Sequence, residues 1–340
     1  MHRRHVITAA GLLIGSSLGL RRVIAAAPQN SRAKVAPRLL KAFLSLPGKM
    51  SAQIDVDAPR HPWRIAHEPD APLFCGSCFK TFVLTTYLQE LEAGRLSESE
   101  QIDINDGIRS VGGGVFDFLT GTAPARTVLE AMIAHSDNTA TDAAMSRVGV
   151  DKVRAFLLDA GLTRVRIPDS TRRFFSYVAG YPAGVDMGWA GLQAMNAGQN
   201  GRPTRPAIND QQTMVCPASD FVSYYKRALA GSFFQKKETL IEFKRIQAMA
   251  DAIAIVVPAD TPAYLKGGSI SWDGFYCMAT AGQMIVGGTR VTFCLNLNWH
   301  DRDGSEATVV PAYKQAVADV LSQIRLQVLK AGGWQGNAGA

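Results

Sequence analysis

The chain has 340 residues, 47% of them hydrophobic and 19% charged. That suits one large domain or two small ones and excludes bulk disorder. The formal net charge of +7 is front-loaded: residues 1–26 hold Arg3, Arg4, Arg21 and Arg22 and no acid, leaving 32 basic against 29 acidic residues in the remainder. A nucleic-acid footprint needs Lys and Arg gathered on one face, and the one obvious later pair, Arg172–Arg173, reads as a solvated loop, so nucleic acid is not an expected partner.

The N-terminus reads as an export signal over residues 1–26. Arg3–Arg4 precede an apolar run from Val6 to Leu20, and small residues Ala25–Ala27 follow. The run is too short and too rich in glycine for a stable membrane span, which takes about 20 apolar residues. The arginine pair fits a twin-arginine signal, and an ordinary secretory signal is the alternative. Either places the protein in the bacterial periplasm or outside the cell. Residues 27–34 read as a linker, 35–330 as the folded domain and 331–340 as a tail.

In the domain, Val35–Leu46 has helical periodicity and stops at Pro47–Gly48. Gln53–Asp57 alternates as a half-buried strand, with Trp63–Ala66 as its partner. A helix is predicted to open near Ser77 and run to about Leu91. Helical patterns follow at Thr127–Ile133, Thr139–Met145 and Lys152–Leu158. Residues 163–216 are rich in Pro and Gly and read as loop, with an inserted segment near 181–215. A helix covers Ser219–Leu229. Tyr264–Asp273, Phe275–Val286 and Arg290–Trp299 read as strands, with Gly287–Gly288 turning the last hairpin. Val310–Leu329 closes the chain as an amphipathic helix. The predicted fold is a mixed α/β (α+β) sandwich: an antiparallel sheet of N- and C-terminal strands flanked by helices, with a helical lobe of about residues 77–260 inserted between the sheet segments. A cleft between the lobes is the expected site.

Five cysteines (Cys75, Cys78, Cys216, Cys277 and Cys294) leave at least one thiol free. No zinc spacing, ligand-spaced histidines or phosphate loop accompanies them; Gly112–Gly114 lacks the lysine of a P-loop and reads as a cleft-edge turn, with Phe116 or Phe118 near the substrate entrance. No metal or cofactor is expected.

Three short motifs carry the chemistry. Ser77-Cys78-Phe79-Lys80 puts a hydroxyl and an amine three residues apart on one helix face. A serine hydroxyl needs an adjacent base to become a nucleophile. Lys80 serves if burial and a nearby cation, Lys266, lower its pKa, and the helix N-terminus also disfavours its charge. Ser136-Asp137-Asn138 lies 59 residues past Ser77 and opens another helix. There Ser136 can pass a proton, Asn138 can donate to a substrate carbonyl and Asp137 braces the turn. Lys266-Gly267-Gly268-Ser269 begins a strand that allows close backbone approach. The N–H groups of Ser77 and Ser269 make a candidate oxyanion hole.

In this order the motifs resemble the serine β-lactamase and penicillin-binding-protein superfamily, class A β-lactamases in particular, over roughly residues 35–330. The resemblance implies that Ser77 is acylated, Lys80 is its base partner and Ser136 is the proton shuttle. It also implies that Lys266 is the electrostatic partner of Ser136 and of a substrate carboxylate, and that Asn138, Gly268 and Ser269 bind substrate. Lys-Gly-Gly stands where the family has Lys-Thr-Gly, with Gly267 facing away from substrate.

One departure bears on turnover. Class A enzymes carry a loop glutamate that activates the deacylating water, whereas here no glutamate occurs between Glu130 and Glu238. Asp169, in Pro168-Asp169-Ser170, is the only carboxylate in the corresponding region. It is one methylene shorter, and a plain Pro-Asp-Ser turn is its other reading. The expected activity is β-lactam hydrolysis through an acyl-enzyme. The alternatives are a cell-wall D,D-peptidase or esterase of the same fold, or a penicillin-binding module that acylates without turnover. The expected partner is a small acyl donor, and the expected state is a monomer.

Overall fold

Strands from the two ends of the chain meet in one sheet, as their alternation predicts. The computed structural model describes residues 36–199 and 201–331, so the predicted signal, the linker and all but the first residue of the tail lie outside the described residues. The strands are β1 (Lys49–Val56), β2 (Trp63–His67), β3 (Gln101–Ile104), β4 (Gly121–Pro124), β5 (Ala263–Trp272), β6 (Phe275–Val286) and β7 (Thr289–His300). Five form one sheet in the order β2-β1-β7-β6-β5, every neighbouring pair antiparallel. β3 and β4, which the sequence pattern does not announce, pair by themselves. Gly287 and Gly288 both take positive φ, the backbone that a two-residue hairpin turn requires.

The helices are α1 (Ala36–Leu39), α2 (Lys41–Leu44), α3 (Lys80–Glu92), α4 (Ala125–Ala134), α5 (Asn138–Val148), α6 (Val150–Asp159), α7 (Thr171–Val178), α8 (Gly188–Asn196), α9 (Ala218–Leu229), α10 (Lys237–Gln247), α11 (Ala252–Val256) and α12 (Glu306–Ala331). The sheet carries α12 and α9, and most of the other helices between β2 and β5 build the other lobe. Burial explains the near-continuous apolar run Val291–Leu297 of β7, broken only by Thr292 and Asn296, which are themselves fully buried.

α3 runs through the middle of the molecule, and every residue from Lys80 to Leu88 is buried. A helix buried all round has no solvent face to pattern. Polar groups tie it down instead: Thr81 and Thr85 share the Tyr224 hydroxyl of α9, and Gln247 at the end of α10 donates to Thr81 Oγ1 at 2.7 Å. The start of α3 is thereby held by both α9 and α10.

Three expectations are corrected. The helix predicted over Val35–Leu46 is broken at Leu40 into α1 and α2. The stretch 163–216 contains α7 and α8, α7 opening on Ser170, whose hydroxyl accepts from Arg173 N as an N-cap. Arg172 is no solvated loop residue: it is 5% exposed, because Asp186 and the Asp106 and Arg109 carbonyls take its guanidinium. All five cysteines are buried and unpaired. Among the described residues no helix is long and apolar enough to cross a membrane, and no cluster of three or more His, Cys, Asp or Glu side chains suits a metal.

Candidate active site

The turn that carries Ser77 is fixed before it begins. Asn298 of β7 clamps Phe74 in both directions, accepting from its N–H at 2.8 Å and donating to its carbonyl at 2.9 Å. Cys75 N donates to Met214 O at 2.8 Å. Gly76 then takes φ 50°, and Gly76–Phe79 make one 3-10 turn that runs into α3. Residues three apart eclipse in such a turn, so Lys80 follows directly on Ser77. Ser77 is half-buried, and its hydroxyl makes no hydrogen bond among the described residues.

Lys80 is fully buried and its amine is held by the second motif. Nζ donates to Ser136 O at 2.5 Å and Asn138 Oδ1 at 2.7 Å, and lies 3.4 Å from Ser136 Oγ. Burial, and then the Lys266 charge, push the amine well below the ordinary lysine range, against the pull of Asp137 and Asp142. A neutral amine has two N–H bonds, and two acceptors stand ready for them. Its lone pair is then left for a hydroxyl proton.

The second motif is a built turn. Ser136 takes φ 61°, a left-handed backbone that costs a non-glycine residue about 1 kcal/mol or more. The buried Asp137 secures it: one carboxylate oxygen caps α5 by accepting from Ala140 N, and the other accepts from Val115 N and Phe116 N. Asn138 binds the same loop through Val111 O at 2.7 Å and Gly112 O at 3.1 Å. A Cβ on Gly113 would meet Asp137 at 2.7 Å, so the glycine run lets this loop lie against the motif.

β5 closes the other side. A Cβ on Gly268 would fall 2.1 Å from Cys75 O and 2.9 Å from Ser77 N, so only glycine lets this strand touch the nucleophile turn. The N–H groups of Ser77 and Ser269 accordingly belong to two backbones in direct contact. Lys266 is 2% exposed, and its amine donates to Gly267 O at 2.8 Å. Burial pushes it down to about 8, with Cys78 and Asp251 opposing. A Cβ on Gly267 would meet Ala252 of α11 at 3.1 Å.

Asp169 is not brought to this group. Its carboxylate accepts from Arg154 at 2.6 Å and from Gln212 at 2.7 Å. Burial works the other way, but these donors hold it below the usual carboxylate range. Among the described residues no carboxylate hydrogen-bonds Ser77, Lys80, Ser136 or Asn138.

Asp142 is not singled out by the sequence, although it follows Asn138 by one helical turn. It is buried and accepts from Thr171 N, Thr171 Oγ1 and Arg172 N at 2.6–2.9 Å, anchoring the start of α7 to α5. Burial pushes it up to about 6 in spite of these donors.

The beta-lactamase enzyme family matches the chain over residues 39–239. Among curated protein sequences none matches it. Similar solved structures include a leucine-to-glutamate mutant of PBP-A in an acyl-enzyme complex with penicillin G, at 13% identity, TM-score 0.63, and coverage of 86% of this chain and 97% of that one. A beta-lactamase from Sphaerobacter thermophilus is 16% identical, with TM-score 0.64 and coverage of 88% and 97%. A beta lactamase from Xanthomonas campestris pv. campestris is 16% identical, with TM-score 0.65 and coverage of 87% and 97%. At such identities the likeness speaks for the fold.

Proposed function

This chain belongs to the beta-lactamase enzyme family, and on that footing we propose that it is an exported serine hydrolase that opens β-lactams through an acyl-enzyme on Ser77. The observation that carries the reading is the Lys80 amine, buried, lowered in pKa and shared between the first and second motifs.

In this mechanism Ser77 Oγ attacks the lactam carbonyl and its proton passes to Lys80 Nζ. The oxygen that gains charge lies on the N–H groups of Ser77 and Ser269. The lactam C–N bond breaks as Ser136 Oγ gives its proton to the leaving nitrogen, and Lys80 returns a proton to Ser136. Lys266 holds the substrate carboxylate, and Asn138 holds the acyl-side amide. Water then attacks the ester and frees Ser77. The missing hydrogen bond between Ser77 and Lys80 is no obstacle, because such contacts often form only once substrate is bound.

The engagement of Asp169 by Arg154 and Gln212 favours a second reading: a D,D-peptidase, esterase or penicillin-binding protein in which acylation outruns deacylation. Steady hydrolysis of a chromogenic cephalosporin, lost in Ser77→Ala, supports the first reading. A long-lived mass adduct on Ser77 without turnover supports the second. The absence of both adduct and turnover with any β-lactam, peptide or ester rejects acylation altogether.

A further inference from the structure

The segment that leads to Ser77 is held as a strand is, but by backbone on one side only. Phe74 pairs with Val215 in an isolated antiparallel bridge, with Cys75 N donating to Met214 O at 2.8 Å and Cys216 N to Leu73 O at 3.2 Å. These bonds belong to the residues flanking Phe74, so its own N–H and C=O turn the other way. On that side the Asn298 side chain takes both, accepting from Phe74 N at 2.8 Å and donating to Phe74 O at 2.9 Å. A primary amide carries the same acceptor and donor as a peptide, so one side chain replaces a partner strand.

The orientation of this amide is fixed in turn. Its second N–H donates to Asn296 Oδ1 at 3.1 Å, two residues back on the same face of β7. Both asparagines are buried, and Asn296 Nδ2 finds no partner among the described residues. An unpaired buried donor is destabilising, a cost that an apolar pair would avoid. What the asparagines supply is geometry. Cys277, opposite Asn298 on β6, adds a thiol donor to Phe74 O at 3.1 Å.

This geometry reaches Ser77 within three residues. Gly76 has no room to absorb a shift, since a Cβ there would lie 2.7 Å from Ser269 N. The nucleophile turn is set between two fixed points, the Phe74 peptide behind it and the β5 backbone in front. We propose that Asn298 is a positioning residue for the nucleophile: buried behind the turn, it holds the Phe74 peptide and so sets the aim of Ser77 Oγ and of the Ser77 N–H. This role rests on the acylation of Ser77 argued above.

The test measures Ser77 acylation by benzylpenicillin, read by intact-protein mass, in the wild type, Asn298→Ala and Asn298→Asp, each checked for folding by near-UV circular dichroism. Asn298→Ala should acylate about a hundredfold more slowly, the scale on which a misplacement of about an ångström acts. Non-covalent binding of benzylpenicillin should be equal in Ser77→Ala and in the double variant Ser77→Ala, Asn298→Ala. A loss of binding as large as the loss of rate would make Asn298 a merely structural residue and overturn the proposal.

Asn298→Asp keeps the comparison within one folded protein. An ionised carboxylate offers Phe74 O no hydrogen, whereas a protonated one accepts from Phe74 N and donates to Phe74 O as the amide does. Burial favours the protonated form. The titratable neighbours are the Cys277 thiol, pushed well above its ordinary range by burial, and Lys49, opposite on β1 and exposed. The acylation rate of this variant relative to the wild type should climb about tenfold from about pH 8 to about pH 5. A flat ratio overturns the proposal, as does acylation of Asn298→Ala at the wild-type rate. A second reagent, an alkyl fluorophosphonate, phosphonylates an activated serine with loss of fluoride. Asn298-dependent labelling of Ser77 by it, without acylation by any β-lactam, would uphold the positioning role and reject the β-lactam reading. Acylation by β-lactams at a rate indifferent to Asn298 does the reverse.

Discussion

Lys80 Nζ donates to Asn138 Oδ1 at 2.7 Å, so the helix that begins beside the nucleophile and the helix that begins at the second motif share one buried amine. The link makes Lys80 both a reacting group and a joint between two elements. The two roles separate in Lys80→Met. Acylation should fall by about a thousandfold or more, because no base remains. Stability should show the opposite sign. A lysine pushed below its unfolded pKa leaves the native state with fewer bound protons than the unfolded one, so its burden grows as pH falls from about 10.5 towards its native value. Urea titrations of the wild type should therefore show stability rising with pH across the upper part of that window. The slope should be shallower in Lys80→Met; an equal slope would contradict the burial argument.

Lys266 sets an alkaline limit. Its amine is pushed down to about 8, so its charge fades as pH rises through that value. The acylation rate of a carboxylate-bearing β-lactam should fall above about pH 8, and Lys266→Arg, which stays charged, should move the fall upward. A simple ester without a carboxylate should show a weaker limb. Identical profiles for the two substrates would remove Lys266 from carboxylate binding.

Gly268→Ala should damage stability and chemistry together. The added methyl group falls 2.1 Å from Cys75 O and 2.9 Å from Ser77 N, both backbone atoms that cannot swing aside. Separating the strand from the nucleophile turn should cost about 1–3 kcal/mol and slow acylation at least tenfold by widening the oxyanion hole. Thermal unfolding and adduct formation measure the two effects. A variant unchanged in both would mean that β5 is not held against the turn.

Asp169→Asn should leave the lifetime of the acyl-enzyme unchanged while lowering stability by roughly 1 kcal/mol through the weakened Arg154 contact. Mass spectrometry of the pre-formed adduct over time is the readout. Slower loss of the adduct in this variant would return Asp169 to the deacylation step.

The parts legible in the sequence are those written on one element at short spacing. Ser77 and Lys80 lie on one turn, and β5 to β7 fall within one residue of their predicted bounds because their apolar runs are bounded by turn residues. β1 begins at Lys49 rather than near Gln53, since Lys49 to Ala52 find ladder partners on β7 that local alternation cannot reveal. Asp142 is within reach at four residues past Asn138, but a helical aspartate looks like a surface residue until its donors arrive from α7. Arg172 reads as a loop residue for the same reason: the partner that buries it, Asp186, is 14 residues away. α7 and α8 lie in a stretch whose proline and glycine content suggests loop.

The five unpaired thiols have a consequence for the order of events in the cell. In the folded chain burial raises each of them and keeps it from solvent, so none is a ready thiolate. In an unfolded chain all five would stand open to pairing with one another, although the native fold uses no such bond. The fold is its own protection against oxidation. In an oxidising medium that protection would extend only to a chain already folded when it meets the oxidant.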